Sequence, residues 1–280
     1  LNGLYALKGS WFKAMVIFCI LALLSFGLSE LDDAYRNVFN VVLVLPDGSV
    51  NTGLRSLIIE AVFSVISFVV MFPLVLGMLE WYWSLTDGSG NKKGVGDIFG
   101  WYGSGRLYLK SLLLGLDIGV RSLLWGLLTC GLPLVLLGAA HYYSAGIDLN
   151  ANLSGAEVQN VLIAGILVIF GFLLLIGGAL LFLYLASRYV LACFLMVEDN
   201  SRGVNEVVRD SIKYTRSYRW EITKFQLSYL GWAILCIAVI PLLYVVPYYT
   251  SSLSMLAKHM IYSQRPKQDD TVRFDAKTPG

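Results

Sequence analysis

Residues 181–225 read LFLYLASRYVLACFLMVEDNSRGVNEVVRDSIKYTRSYRWEITKF. An apolar run with one cation in it, Arg188, gives way at Glu198 to a charged segment that turns apolar again at Phe225. The flanking runs are long enough for a helix to cross a bilayer, which takes about 20 residues. Within the charged part, Val204, Val207, Val208, Ile212 and Thr215 recur at helical spacing, with Glu206, Arg209, Asp210, Lys213 and Arg216 opposite. This predicts an amphipathic helix over residues 204–219, acidic early and basic late, the favourable sense for a helix dipole. Its weak apolar face suits the surface of a bundle or a headgroup layer.

Composition extends that reading to the whole chain. The 280 residues are 57% hydrophobic and only 14% charged, against roughly a quarter charged in soluble domains. Mean hydropathy is +0.68. The class is an all-α, polytopic membrane helical bundle, with residues 1–262 as one domain and 263–280 as a polar tail. A net charge of +2 gives no support to nucleic-acid binding. Cys19, Cys130, Cys193 and Cys236 each sit in a different apolar run and read as small buried hydrophobes. With only His141 and His259 in addition, neither a metal site nor a cofactor is indicated.

Outward from the opening stretch, the first apolar run covers residues 14–28. It could pass for a secretory signal but, ahead of so apolar a chain, reads as a first span. Residues 30–53 follow with four acids against Arg36 alone. The apolar piece from Val38 to Leu45 fits a short strand or an interfacial helix. Residues 54–85 form a second span with Glu60 and Glu80 near opposite ends, kinked by Pro73. Trp81, Tyr82 and Trp83 close it as an interfacial aromatic belt. The glycine-rich loop beyond carries Lys92 and Lys93 and leads to Ile98, Phe99 and Trp101, placed in the headgroup layer.

The third span, within residues 106–140, has the most structured pattern. Ser111, Gly115, Gly119, Ser122 and Gly126 form a narrow small-residue stripe suited to close helix packing. Lys110, Asp117 and Arg121 recur on another face, and Asp117 and Arg121 are one turn apart. Ionisable groups so deep in an apolar run are costly and point to a partner or a water-filled cavity. The fourth span, residues 159–197, would reach about 58 Å as one helix, so it is expected to bend near Gly171 or Gly177-Gly178 and project. Residues 225–262 are broken by Pro241 and Pro247. Split near 239–241, they complete six spans with the amphipathic helix between the fourth and fifth; unsplit, they give five. In the six-span arrangement the basic clusters all fall on one side, which by the positive-inside rule puts both termini in the cytoplasm.

Ser187-Arg188-Tyr189, the exit Val197-Glu198-Asp199-Asn200, Glu206-Val207-Val208 to Trp220, Leu230-Gly231-Trp232 and Val246-Pro247-Tyr248 resemble an uncharacterised bacterial integral membrane family, domain of unknown function 975. Lys8-Gly9-Ser10-Trp11 also fits its opening. The resemblance implies a multi-pass protein of the bacterial cytoplasmic membrane, related to membrane domains attached to glycerophosphodiester phosphodiesterases. It implies no activity. Members typically carry a glycine-rich break between the last two hydrophobic halves, and residues 237–241 have no glycine.

Asp117, Arg121 and Arg188 stand at similar depths and are expected to face one another. Together they motivate a transport or export component for a lipid, peptide or small amphiphile; the plainer reading is an ion pair that holds two helices together. The alternative function is a non-catalytic scaffold or regulatory subunit. In it Arg209, Lys213, Arg216 and Arg219 would dock a cytosolic or membrane protein partner or anionic lipid. No nucleophile and base occur in a recognisable motif, so an enzyme is not expected.

Overall fold

The computed structural model describes residues 3–39, 53–86, 93–145, 154–235 and 239–264. Every element among them is helical. A turn, α1 (Gly3–Ala6), precedes α2 (Trp11–Val38) and α3 (Leu54–Leu85). A 3₁₀ segment (Val95–Tyr102) leads into α4 (Gly105–Ser144), and α5 (Gly155–Ala186) follows. A 3₁₀ turn (Ser187–Tyr189) joins α5 to α6 (Val190–Glu198). Then come α7 (Val204–Thr215), α8 (Arg219–Ser228), α9 (Leu230–Leu235) and α10 (Val239–Gln264). Among the described residues, four stretches are long and apolar enough to cross a membrane: Trp11–Val38, Leu54–Leu85, Gly105–Ser144 and Gly155–Glu198. The segment after Phe39, the loop containing Lys92, residues 236–238 and the tail beyond Gln264 lie outside the described residues.

Burial is concentrated at one end of the molecule. Leu76, Leu79 and Trp83 of α3 pack with Leu191, Phe194 and Leu195 of α6, Val207 and Val208 of α7, and Ala257, Met260 and Ile261 of α10. Away from this body, α4 and α5 expose long apolar faces, among them Leu127, Leu128, Leu162, Ile169 and Leu173. Lipid tails solvate such side chains as well as a protein core does, so helices inside a bilayer have no hydrophobic reason to close up.

A membrane interior penalises any backbone carbonyl without a donor, and each proline inside a helix creates one four residues earlier. Pro73 frees the Val69 carbonyl, to which the Tyr108 hydroxyl donates at 3.3 Å, and the Tyr102 hydroxyl donates to the neighbouring Val70 carbonyl. Pro133 frees Thr129, and α5 brings Gly178 so close that a methyl group there would overlap the Thr129 carbonyl oxygen. Both helices run on through their prolines.

Three local expectations change. Trp81, Tyr82 and Trp83 are buried, so they are core residues and not a lipid-facing belt. They are held there because the 3₁₀ segment folds back on α3: Gly77 lies against the Ile98 backbone, and Trp81 Nε1 donates to the Lys93 carbonyl at 3.1 Å. Ile98 and Trp101 are buried by the same contact, leaving only Phe99 outward. Finally, α5 is uninterrupted through Gly171 and Gly177-Gly178. Gly171 packs on Leu137, and the helix tightens only at Ser187–Tyr189.

Candidate functional site

Arg188 sits in the 3₁₀ turn that joins α5 to α6. The tightened turn leaves its carbonyl free to look outward, and α7 meets it: Ser211 Oγ donates at 2.7 Å and Thr215 Oγ1 at 3.4 Å. Ser211 and Thr215 are fully buried, as are Val207 and Val208 to within a percent. That face of α7 is seated in the protein body, while Arg209, Lys213 and Arg216 are exposed and Arg219 is half-buried.

The Arg188 side chain runs toward α4. Its guanidinium carbon lies 5.0 Å from the centre of the Trp125 ring, a cation–π arrangement. Its Nε is buried with no hydrogen-bond partner among the described residues. Trp125 in turn donates from Nε1 to the Tyr189 hydroxyl at 3.2 Å. One turn back along α4, Arg121 also interacts with Tyr189 and donates from Nε to Asp117 Oδ2 at 2.9 Å. The three expected charges thus join one ladder, Asp117 to Arg121 to Tyr189 to Trp125 to Arg188. Among the described residues Asp117 pairs with Arg121, and aromatic side chains carry the link to Arg188. Arg121 is 42% exposed and Asp117 25%, so the charged end of the ladder opens outward.

Tyr189 belongs to the Ser187-Arg188-Tyr189 motif, whereas Trp125 carries no such signal in the sequence beyond continuing the Asp117 and Arg121 stripe by four residues. The small-residue stripe divides its work. Gly115 faces the rings of Phe68 and Phe72 on α3, with room for a side chain neither between them nor beside them: a Cβ would lie 2.9 Å from each. Gly126 stands toward Phe182 of α5, Ser111 is buried, Ser122 is partly buried, and Gly119 faces open space.

At the end of the molecule where α3 stops and α4 starts, Glu80, Lys93, Asp97, Gly100, Trp101, Leu107 and Asn200 line a cavity of about 400 Å³. Glu80 accepts from Trp101 Nε1 at 2.8 Å and pairs with Lys93. Beside it, Lys110 directs its ammonium to the carbonyls of Asn200 (2.7 Å), Ser201 (3.1 Å) and Arg202 (3.0 Å). This fastens the turn between α6 and α7 onto α4. Arg202 then pairs with Glu206 and Asp210 along α7. No group of three or more His, Cys, Asp or Glu side chains suited to a metal occurs among the described residues.

A family model described as "Protein of unknown function (DUF975)" matches residues 5–262, and the chain belongs to that family. No curated protein and no solved structure matches the chain.

Proposed function

We propose that the protein is a transport or export component of a bacterial cytoplasmic membrane, handling a lipid, peptide or small amphiphile. The ladder within α4 and the α5–α6 junction carries this reading. An ion pair that only held two helices would join α4 to α5; here Asp117 and Arg121 pair along α4 and stand partly exposed. Arg188 keeps a buried Nε without a partner among the described residues, a donor that a passing polar group could use. The proposed frame is one domain of six spans with both termini cytoplasmic. The kinship with membrane domains attached to glycerophosphodiester phosphodiesterases is part of the same proposal and leans toward lipid-derived cargo. No catalytic step or cofactor is assigned.

The test uses purified protein in vesicles, with a fluorescent phosphatidylethanolamine and a fluorescent apolar peptide as probes, quenched from outside. The protein should move at least one probe across the bilayer faster than protein-free vesicles do. Arg188→Gln should slow that probe about tenfold, equivalent to about 1.4 kcal/mol on the barrier. Rates equal to empty vesicles for both probes would overturn the reading.

The exposed Arg209, Lys213 and Arg216 favour a second reading, a scaffold that docks a protein partner or anionic lipid through α7. Reversing all three to Glu should leave the fold unchanged and release whatever co-purifies with the wild type; an unchanged co-purification profile would count against docking.

A further inference from the structure

A second polar site lies between α2 and α3, at the end of α3 away from Glu80. On α2, Ser25, Ser29, Asp32 and Arg36 recur at spacings of four, three and four residues. On α3, Glu60, Ser64 and Ser67 recur at four and three. Each set shares one helix face, and the two faces together line a groove of about 400 Å³. By helix rise the α2 wall is about 16 Å long. Both helices are candidate membrane spans, where such a row of hydroxyls and charges is costly unless used.

Arg36 gives the groove its chemistry. It is 6% exposed, and it donates to Asp32 from Nε at 2.9 Å and from Nη2 at 3.2 Å. Its Nη1 is buried with no partner among the described residues. A guanidinium has five donors in a fixed fork, so this nitrogen retains capacity for one more acceptor. Asp32 balances the Arg36 charge, and Glu60 has no cationic partner among the described residues that line the groove. The walls therefore ask for an anionic oxygen at Arg36 and a cation at Glu60, with serine hydroxyls between them. Outside, Leu24, Phe26, Val62 and Val65 are exposed and apolar, a surface for hydrocarbon.

We propose that this groove binds a zwitterionic phosphate–ammonium head group, with a phosphate oxygen on Arg36 Nη1 and the ammonium at Glu60. The site goes beyond the transport reading and does not require it, because occupancy is separate from flux.

The experiment places a photo-crosslinker by Phe63→p-benzoylphenylalanine, on the groove wall, in the full chain in vesicles. One set contains radiolabelled phosphatidylethanolamine, the other radiolabelled phosphatidylglycerol, which lacks the ammonium. The zwitterionic lipid should be captured about tenfold more, and Glu60→Gln should reduce that capture about tenfold, the scale of one charge-assisted contact. Ser64→Leu should abolish capture by filling the groove. Glu60 and Ser64 are both exposed, so these variants fold even where Arg36→Gln does not. Competition by soluble O-phosphoethanolamine would assign the site to the free head group, and its failure would assign it to the lipid. Equal capture of both lipids, capture of neither, or capture indifferent to Glu60→Gln and Ser64→Leu would overturn the proposal. Capture without flux would retain this site and remove the transport reading, and flux without capture would do the reverse.

Discussion

Lys110 shows what a single ammonium can do that no other side chain can. Its three donors reach three successive carbonyls, Asn200, Ser201 and Arg202. Hydrogen bonds from a charged donor contribute about 1.5–3 kcal/mol each when sheltered, but Lys110 is partly exposed and the three share one charge. Lys110→Met should therefore cost about 1–3 kcal/mol, seen as a melting temperature lower by several degrees in detergent. Lys110→Arg should not restore it, because a planar fork cannot converge on a ring of carbonyls. In the same turn, Asp199 Oδ1 accepts from the Ser201 hydroxyl at 2.6 Å and the Ser201 amide at 3.0 Å. The hydroxyl first, then the amide, hold its carboxyl below the usual range. A depressed folded pKa adds stability that is present above the unfolded value, about 3.9, and lost as pH falls through the folded one. Ser201→Ala should raise the pKa of Asp199 in a carboxyl-resolved NMR titration and narrow the acid range over which the turn persists; an unmoved titration would refute the assignment. That Arg188 stands apart was legible from one cation in a long apolar run. Its neighbours were harder, because charge complementarity points to Asp117, whereas the ring that stacks on Arg188 belongs to Trp125.

Helices in this protein are joined at the places where their backbones are incomplete. Tyr108 and Tyr102 complete the turn before Pro73, Ser211 and Thr215 complete Arg188, and Gly178 closes on the carbonyl freed by Pro133. The last pairing makes a sharp contrast between two glycines, one on α5 and one on α4. At Gly178 any side chain overlaps the Thr129 carbonyl, and overpacking of this kind costs about 1–3 kcal/mol or more. At Gly119 nothing lies within reach of a Cβ. Gly178→Ala should lower the melting temperature markedly, while Gly119→Ala should leave it unchanged or raise it slightly through better helix propensity. Equal effects would mean that α4 and α5 do not meet as described. Spacing revealed the α4 stripe as a packing surface, but the same spacing cannot tell which glycine has a neighbour. That depends on the register between two helices, which one sequence does not contain. The groove between α2 and α3 escaped notice for a similar reason. Its two stripes are each visible as polar residues at spacings of three and four, yet they form a site only once the helices are set side by side.

On the scale of the molecule, the packed body gathers several elements at one end. The Ser251 hydroxyl of α10 donates to the Gly3 carbonyl at 3.0 Å, Gln264 Nε2 donates to the Tyr214 carbonyl at 2.8 Å, and the Ser263 and Tyr218 hydroxyls meet at 3.3 Å. The last turn of α10 thus lies against the end of α7. Apolar length marked out the four long spans directly, but it said little about residues 225–262, where polar and aromatic residues interrupt the run. The proposed six-span frame requires α10 to return to the α7 side, where its last turn meets Tyr214 and Tyr218, with an even number of crossings and both termini together. Cysteine labelling checks this. In a background with the native cysteines replaced, Lys8→Cys, Arg209→Cys and Ser263→Cys should all react with an impermeant maleimide in inside-out vesicles and be protected in right-side-out ones. A five-span chain would reverse Ser263→Cys alone. That outcome would also require Gln264 and Tyr214 to sit on opposite faces of the bilayer, so the labelling pattern and the hydrogen bond between them must stand or fall together.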